Sequence, residues 1–165
     1  DNHLQGKCGS SIKYGLYYHN EMVSLMTFGK LRKKMGRDDT NNTYELIRFC
    51  NKLNTNVVGG ASKLFKHFIK EFNPSSVISY ADRRWSNGNL YTKLNFSHVH
   101  NSRPNYFYII GHKRKNRFGF RKDILVKEGY DANKSEHQIM FDRGIYRIYD
   151  CGTMLFEYKN IYNKK

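Results

Sequence analysis

The sequence has few cysteines and no long apolar run, and each shortage argues against a class of protein. Cys8, Cys50 and Cys151 are an odd number of thiols at wide spacing, and no Cys-x-x-Cys pair occurs. Neither a disulfide framework nor a thiolate zinc centre is therefore indicated, and three free thiols in a reducing compartment are expected. No apolar segment approaches the ~20 residues of a membrane-spanning helix.

The sequence also lacks the features of a signal peptide and has few of the residues that are encoded by GC-rich codons. Residues 1–6 lack a charged segment followed by an apolar one, so no signal peptide is expected there. The chain is rich in Asn, Lys, Ile, Tyr and Phe but has only three Ala and two Pro. Because the favoured residues have AT-rich codons, the composition predicts a low-GC source such as a phage or a virus. The expected location is the cytoplasmic interior of the host cell.

Basic and aromatic residues are abundant. Lys and Arg number 29 against 14 acids, a formal net charge of +15, and aromatic residues make up 15% of the chain. A disordered basic tail would not carry so many aromatics, so a folded basic surface is predicted. Such a surface indicates a polyanionic partner, most often nucleic acid. The alternatives are a charge excess that serves solubility and, as a minor rival, binding to a membrane surface.

The basic residues fall into three candidate nucleic-acid-binding segments. Trp85 in the second segment is predicted either to stack on a base or to lie in the core. The segments comprise Lys30, Arg32, Lys33, Lys34 and Arg37; Arg83 and Arg84 beside Trp85; and Lys113, Arg114, Lys115, Arg117, Arg121 and Lys122.

The hydrophobic pattern predicts an α/β fold. A hairpin is expected over 14–28, and the apolar stripe of residues 60–72, spaced at i, i+3, i+4 and i+7, predicts a helix. Strands at 44–50 and 76–80 flank that helix, so they are expected to be parallel neighbours. Further predictions are helices at 88–94, 121–128 and 134–142, strands at 96–100 and 105–110, and a closing hairpin over 145–156. The predicted organisation is a core over 1–103, with N-terminal elements absent or incomplete, and a basic extension over 104–165 packing on it.

Two charged residues interrupt the apolar strand at 44–50. Glu45 and Arg48 are expensive to bury unless each has a partner. At a spacing of i and i+3 on a regular strand they are expected to point to opposite faces. Two interpretations remain open: each pairs with a charge from another element, or one lines a cleft.

Two further segments carry candidate site residues. Gly59, Gly60, Ala61 and Ser62 open the helix, where backbone N–H groups and the helix dipole favour an anion, either a coenzyme A pyrophosphate or a DNA phosphate. The alternative is an ordinary helix start. After the next strand come Tyr80 and Asp82, at the edge where ligands gather in α/β folds. Asp82 is either a base, a hydrogen-bond acceptor or a turn cap. No metal site is expected.

The order hairpin, strand, glycine turn, helix, strand, helix resembles a GNAT (acetyltransferase-like) domain. In this family the glycine turn binds the pyrophosphate of acyl-coenzyme A, and two splayed strands admit its pantetheine arm. The basic residue usual ahead of the turn is absent, with Asn56 near that place. Residues 91–96, Tyr-Thr-Lys-Leu-Asn-Phe, resemble the family's Tyr-x-x-x-Gly-Phe, with Asn95 in the position of Gly. The resemblance implies a mixed, largely antiparallel sheet with a central splayed parallel pair and flanking helices, followed by the basic C-terminal extension.

Residues 3–100 also resemble the Mom-type branch, phage proteins that modify adenine in DNA. The shared features are an early His3, the pattern Glu45-x-x-Arg48-x-Cys50, Ser62 at the helix start, and a strand that ends at Tyr80. The resemblance implies a catalytic cleft that receives a flipped base. Its members would be Glu45, Arg48, Ser62, Tyr80 and Asp82, with His3 as a further candidate.

The whole chain is similar to modules that accompany a nuclease domain in phage and large-virus homing-endonuclease-like proteins. The segments Arg117–Lys122 and Arg147–Gly152 contribute to that similarity, and no nuclease motif occurs within the chain itself. The resulting expectation is a DNA-binding module. The alternatives are a Mom-like enzyme that modifies a DNA base and an ordinary acyl-CoA N-acetyltransferase.

Overall fold

The computed structural model describes residue 6 and residues 8–31 and 42–161. Their contacts form two compact units, one made of the described residues up to 101 together with 154–161, and one of residues 102–153. The elements of the first unit are β1 Ile12–Tyr18, β2 Glu21–Lys30, β3 Thr43–Asn51, α1 Gly60–Phe72, β4 Ser76–Asp82, α2 Asn89–Lys93, β5 Ser97–Asn101 and β9 Thr153–Lys159. Those of the second are β6 Tyr106–Ile110, β7 Lys113–Asn116, a 3₁₀ turn Arg117–Phe120, α3 Lys122–Lys127, α4 Glu136–Asp142 and β8 Arg147–Tyr149.

The first unit is built on a six-stranded sheet of order β1-β2-β3-β4-β9-β5. β1, β2 and β3 form an antiparallel meander, and β3 pairs with β4 in parallel, as expected for strands joined through a helix. β5 and β9 are antiparallel. The predicted α/β class, with a largely antiparallel sheet around one parallel pair, is confirmed.

Helix α1 supplies the apolar layer that covers this sheet. Its stripe buries Leu64, Phe65 and Phe68, as the spacing predicted. The Phe68 ring stacks on Phe28 of β2 at 3.8 Å between centroids, with the planes 8° apart. Tyr44 of β3 meets Phe68 edge-on. Aromatic stacking and burial therefore fix the helix against β2 and β3.

The predicted closing hairpin over 145–156 is wrong. β8 pairs with β6 in a separate three-stranded sheet of order β7-β6-β8, whereas β9 joins the six-stranded sheet. Cys151 and Gly152 do turn the chain, with Gly152 at φ 74°, but the strands they connect belong to different sheets. A local turn signal does not specify which strand will be the partner.

The second unit has its own small core and a partly buried polar network beside it. Tyr108, Leu125, Ile139 and Met140 are buried together. Glu136 accepts hydrogen bonds from the hydroxyls of Tyr106 (2.7 Å) and Tyr108 (2.8 Å). Burial raises the pKa of Tyr108 to about 12. The protonated hydroxyl therefore persists as a donor to Glu136 at any ordinary pH.

Two glycines with similar backbone angles provide a matched stability test. Gly88 has φ 83° and a Cβ there would overlap the Phe156 ring, whereas Gly59 has φ 74° and open space around it. Alanine in the left-handed region costs about 1–2 kcal/mol at either position. We expect Gly88→Ala to lower the free energy of unfolding by about 1–3 kcal/mol more than Gly59→Ala, because of the added overlap. Urea unfolding followed by circular dichroism measures both, and equal losses would contradict the packing around Gly88.

Candidate functional site

The candidate site is a cleft that opens where β3 and β4 diverge. Their pairing stops at Glu45 opposite Ile78, after only three residue pairs. Beyond that point lies a cavity of about 190 Å³. It is lined by Leu46, Ile47, Arg48 and Phe49 of β3, Tyr80, Ala81 and Asp82 of β4, Trp85 and Ser86 of the following loop, and Leu90 and Tyr91 of α2.

Ser79 and Tyr91 hold the narrow end of the cleft. The Ser79 hydroxyl donates to the carbonyl of Leu46 (2.8 Å) and is hydrogen-bonded to the Tyr91 hydroxyl (3.0 Å). A side chain therefore satisfies a β3 carbonyl at the place where the ladder has ended. Burial raises the pKa of Tyr91, although the hydrogen bond with Ser79 and the nearby charge of Arg48 oppose that change. The Tyr91 hydroxyl accordingly stays protonated and is held in one position.

A β-bulge brings Arg48 into the cleft. The register between β2 and β3 shifts by one residue around Ile47, so Thr27 lies opposite Arg48 and Gly29 lies opposite Glu45. Because Thr27 and Gly29 are two apart on β2, Glu45 and Arg48 point to the same face. The prediction that they point to opposite faces is wrong, since it assumed a regular strand. The Arg48 guanidinium donates to the Ile47 carbonyl (2.8 Å).

Glu45 and Ser62 lie outside this cavity. Glu45 is only 3% exposed and sits at the last β3–β4 pair, where the strands have not yet separated. Ser62, in the first turn of α1, lines a different cavity of about 230 Å³ together with Lys66, Lys93 and Tyr158. Of the five residues expected in one concavity, the cleft thus contains Arg48, Tyr80 and Asp82.

Asp82 is held by Arg84 in a bidentate ion pair. Arg84 Nε donates to both carboxylate oxygens at 3.0 and 3.2 Å, and the Arg84 backbone N–H also bonds Oδ1 (3.0 Å). The Asp82 carbonyl accepts from the N–H groups of Trp85 and Ser86. This arrangement favours Asp82 as a turn cap over Asp82 as a base, and it occupies Arg84 as well.

Trp85 lies at the mouth of the cleft and is 65% exposed, so it is not a core residue. The neighbouring Arg83 is exposed too. An exposed indole beside a cavity is a surface on which a planar ligand can stack.

The start of α1 has the geometry of an anion site without a demonstrated occupant. Gly59 adopts the left-handed conformation, and no side chain caps the helix. The Gly60 N–H donates to the Val57 carbonyl (3.0 Å). The N–H groups of Ala61 and Ser62 belong to the first turn, which has no intrahelical acceptors. A pyrophosphate or phosphate fits these donors chemically.

The candidate basic residues differ in exposure and in whether a carboxylate or an aromatic ring lies beside them. Lys113, Arg114, Lys115 and Lys122 are exposed, whereas Arg121 lies 3.5 Å from Asp123. Arg117 is half-buried over the Tyr106 ring, and Lys30 sits over Tyr44. His3, Arg32, Lys33, Lys34 and Arg37 lie outside the described residues. Among the described residues, no three His, Cys, Asp or Glu side chains cluster to hold a metal ion.

Sequence reasoning missed Ser79, Leu90 and Tyr91 as members of the site. Ser79 and Leu90 are ordinary strand and helix residues in sequence, and nothing local marks them. Tyr91 had one signal, its place at the head of the Tyr-x-x-x-Gly-Phe-like segment. Asn95 adopts φ 62° there, the left-handed conformation for which glycine is usual and which Asn tolerates.

Comparisons with known proteins identify the fold. An acetyltransferase of Bacillus subtilis, solved in complex with CoA, matches with a TM-score of 0.51 and 12% identity over 90% of this chain and 76% of its own. A provisionally assigned acetyltransferase of Thermoplasma acidophilum matches with a TM-score of 0.50 and 12% identity, over 90% and 78%. The chain has the GNAT acetyltransferase fold. No family model and no curated protein matches the sequence. No helix among the described residues has the length and apolarity to cross a membrane.

Removing the Ser79 hydroxyl tests the narrow end of the cleft. Ser79→Ala leaves the Leu46 carbonyl buried without its donor, so we expect a loss of about 1–3 kcal/mol in the free energy of unfolding. Ser97→Ala, on the exposed strand β5, is the matched control and should change it by less than about 0.5 kcal/mol. Chemical denaturation compares the two, and equal effects would show that Ser79 does not join the strands.

Proposed function

We propose that this chain is a DNA-binding module built on the GNAT fold, of the kind that accompanies a nuclease domain in phage or virus homing-endonuclease-like proteins. The observation that carries the proposal is the basic strand β7, whose four residues are all exposed. The segment from Arg103 to Lys122 holds seven Lys or Arg and no acid, within a chain of net charge +15. Duplex DNA, with its dense phosphate charge, is the partner that this distribution suits.

Folding alone does not account for this cluster. Two lysines elsewhere on the surface do have carboxylate partners: Lys52 contacts Glu21, and Lys134 lies 2.7 Å from Asp142. Within the described part of the chain, no carboxylate lies within ion-pair distance of Lys113, Arg114 or Lys115. Adjacent like charges repel, so an external anion is what neutralises them.

Salt dependence tests the DNA proposal. Each phosphate contacted by a cation contributes about −0.9 to the slope of log K against log salt concentration. We expect the double variant Lys113→Gln/Lys115→Gln to flatten this slope for a duplex by about 1.8 units. Fluorescence anisotropy between low and moderate salt measures the slope.

The matched control is Lys52→Gln/Lys134→Gln, which removes the same charge from lysines that already have carboxylate partners. It should change the slope much less. Absence of any DNA binding at low salt, or an affinity independent of salt, would overturn the DNA proposal and return the charge to a solubility role.

The cleft favours a second candidate, a Mom-like transferase that modifies a DNA base. A flipped base would enter between Arg48 and Tyr91 and stack on Trp85. An acyl-CoA thioester is the donor that the fold suggests, and the start of α1 offers N–H groups to its pyrophosphate. An ordinary acyl-CoA N-acetyltransferase is the third alternative, supported by a fold neighbour solved with CoA.

The carboxylate that lines the cleft favours a binding function over a catalytic one. Among the described lining residues Asp82 is the sole carboxylate, and Arg84 holds it in an ion pair. A carboxylate fixed in this way is a poor general base, because the paired cation stabilises its ionised form. A DNA-binding module needs no such base, whereas a transferase that deprotonates an amine does.

The single tryptophan distinguishes these candidates. Because Trp85 lines the cleft, its fluorescence reports entry of a ligand such as acetyl-CoA. We expect DNA incubated with the protein and acetyl-CoA to yield only unmodified nucleosides by mass spectrometry. A new nucleoside that disappears with Tyr91→Phe, together with a saturable Trp85 signal for acetyl-CoA, would instead establish the transferase.

A further inference from the structure

Among the described residues of the second unit, the helices α3 and α4 pack on one face of the three-stranded sheet, and no helix of that unit covers the other. The buried core with α3 and α4 lies on the face of Tyr108. Residues alternate along β6, so Phe107 and Ile109 point to the other face. Their directly paired neighbours share that face: Ile148 of β8 opposite Phe107, and Arg114 of β7 opposite Ile109.

This outer face combines apolar contact area with positive charge. Ile109 is 38% and Ile148 46% exposed, and the Arg114 guanidinium lies over the Phe107 ring at 4.4 Å. Tyr146, 62% exposed, borders the face, where its carbonyl accepts from the Ile109 N–H. Exposed apolar side chains on a sheet, flanked by a basic strand, are chemically matched to a ligand with both planar apolar groups and negative charge.

The positive charge of β7 favours one kind of ligand for the outer face over others. A second copy of this chain would bring an identical basic strand to the interface, so like charges would meet. A duplex would contact Lys113, Arg114 and Lys115 through its phosphates but would leave Ile109 and Ile148 without partners, because its bases are stacked internally. A single strand presents phosphates and unstacked bases together.

We infer that the outer face of β7-β6-β8 binds single-stranded DNA, with bases against Phe107, Ile109 and Ile148, and with phosphates at Arg114 on that face and at the exposed lysines of the edge strand β7. The inference rests on the proposed DNA-binding function and specifies its partner as an unpaired strand. Such a strand is present wherever a duplex is opened or resected, so the face would hold DNA that has lost its complement.

The experiment compares a labelled single strand of about 12 nucleotides with a duplex of the same sequence, by anisotropy at matched salt. The variant Ile109→Ser/Ile148→Ser removes apolar contact but no charge. We expect it to weaken single-strand binding by about five- to tenfold, to leave the salt slope unchanged, and to leave duplex binding unaffected. Val126→Ser, an exposed apolar residue of α3, is the matched control and should change neither.

Photo-cross-linking locates the contact independently of any variant. Single strands that carry 5-iodouracil should cross-link to peptides spanning 106–116 or 146–149, identified by mass spectrometry. Cross-links confined to other peptides, or an unchanged single-strand affinity in Ile109→Ser/Ile148→Ser while the duplex still binds, would overturn the inference and leave the proposed function intact. Failure of both DNA forms to bind at low salt would overturn both. Self-association lost in the same variant would assign the face to a second copy.

Discussion

The early end of the β3–β4 pairing is the constraint on which the candidate site depends. Two parallel strands that paired along their full length would leave no space between them. Here the bulge at Ile47 redirects β3, and the ladder stops at Glu45 and Ile78. The Ser79 hydroxyl then satisfies the carbonyl of Leu46, so the separation does not leave that group buried and unbonded. The cleft, the position of Arg48 and the fixed hydroxyl of Tyr91 all follow from this.

The sequence specified the local elements well because their signals are local. The apolar stripe of residues 60–72 and the alternation in the first hairpin predicted α1, β1 and β2. The parallel pairing of β3 and β4 followed from chain connectivity, which leaves few topologies. The sheet that β9 joins was not predictable in this way. Its neighbours β4 and β5 lie far away in sequence, and hydrophobic alternation does not identify a partner strand.

The candidate site was predicted only where residues sit next to strand ends. Tyr80 and Asp82 reached the cleft because β4 ends there, and Arg48 reached it through a bulge that no residue pattern announces. Ser62 lines a different cavity, because one helical turn is enough to change the surface on which a side chain lies. Asp82 shows a further limit: its chemistry depends on Arg84, and the sequence does not say whether adjacent opposite charges pair with each other or bind a ligand.

Not every basic residue behind the net charge of +15 presents its charge to a partner, because some of them take part in packing. Arg117 and Arg147 both lie over the Tyr106 ring, and Arg147 also bonds the Tyr108 hydroxyl. These guanidinium groups serve the packing of the second unit, where planar cations and tyrosine rings stack. The exposed strand β7 is therefore a more specific indicator of a polyanion than the total.

The place of β9 in the sheet has a consequence for how the protein is made. β9 lies between β4 and β5, yet it follows the whole second unit along the chain. During synthesis the ribosome must release residues 102–153 before β9 emerges, and until then β4 and β5 have unpaired edges where β9 belongs. Elongation at about 5–20 residues per second leaves those edges open for seconds. The first unit is therefore completed only after the second has been synthesised, and until then the open edges of β4 and β5 are places where another strand can pair.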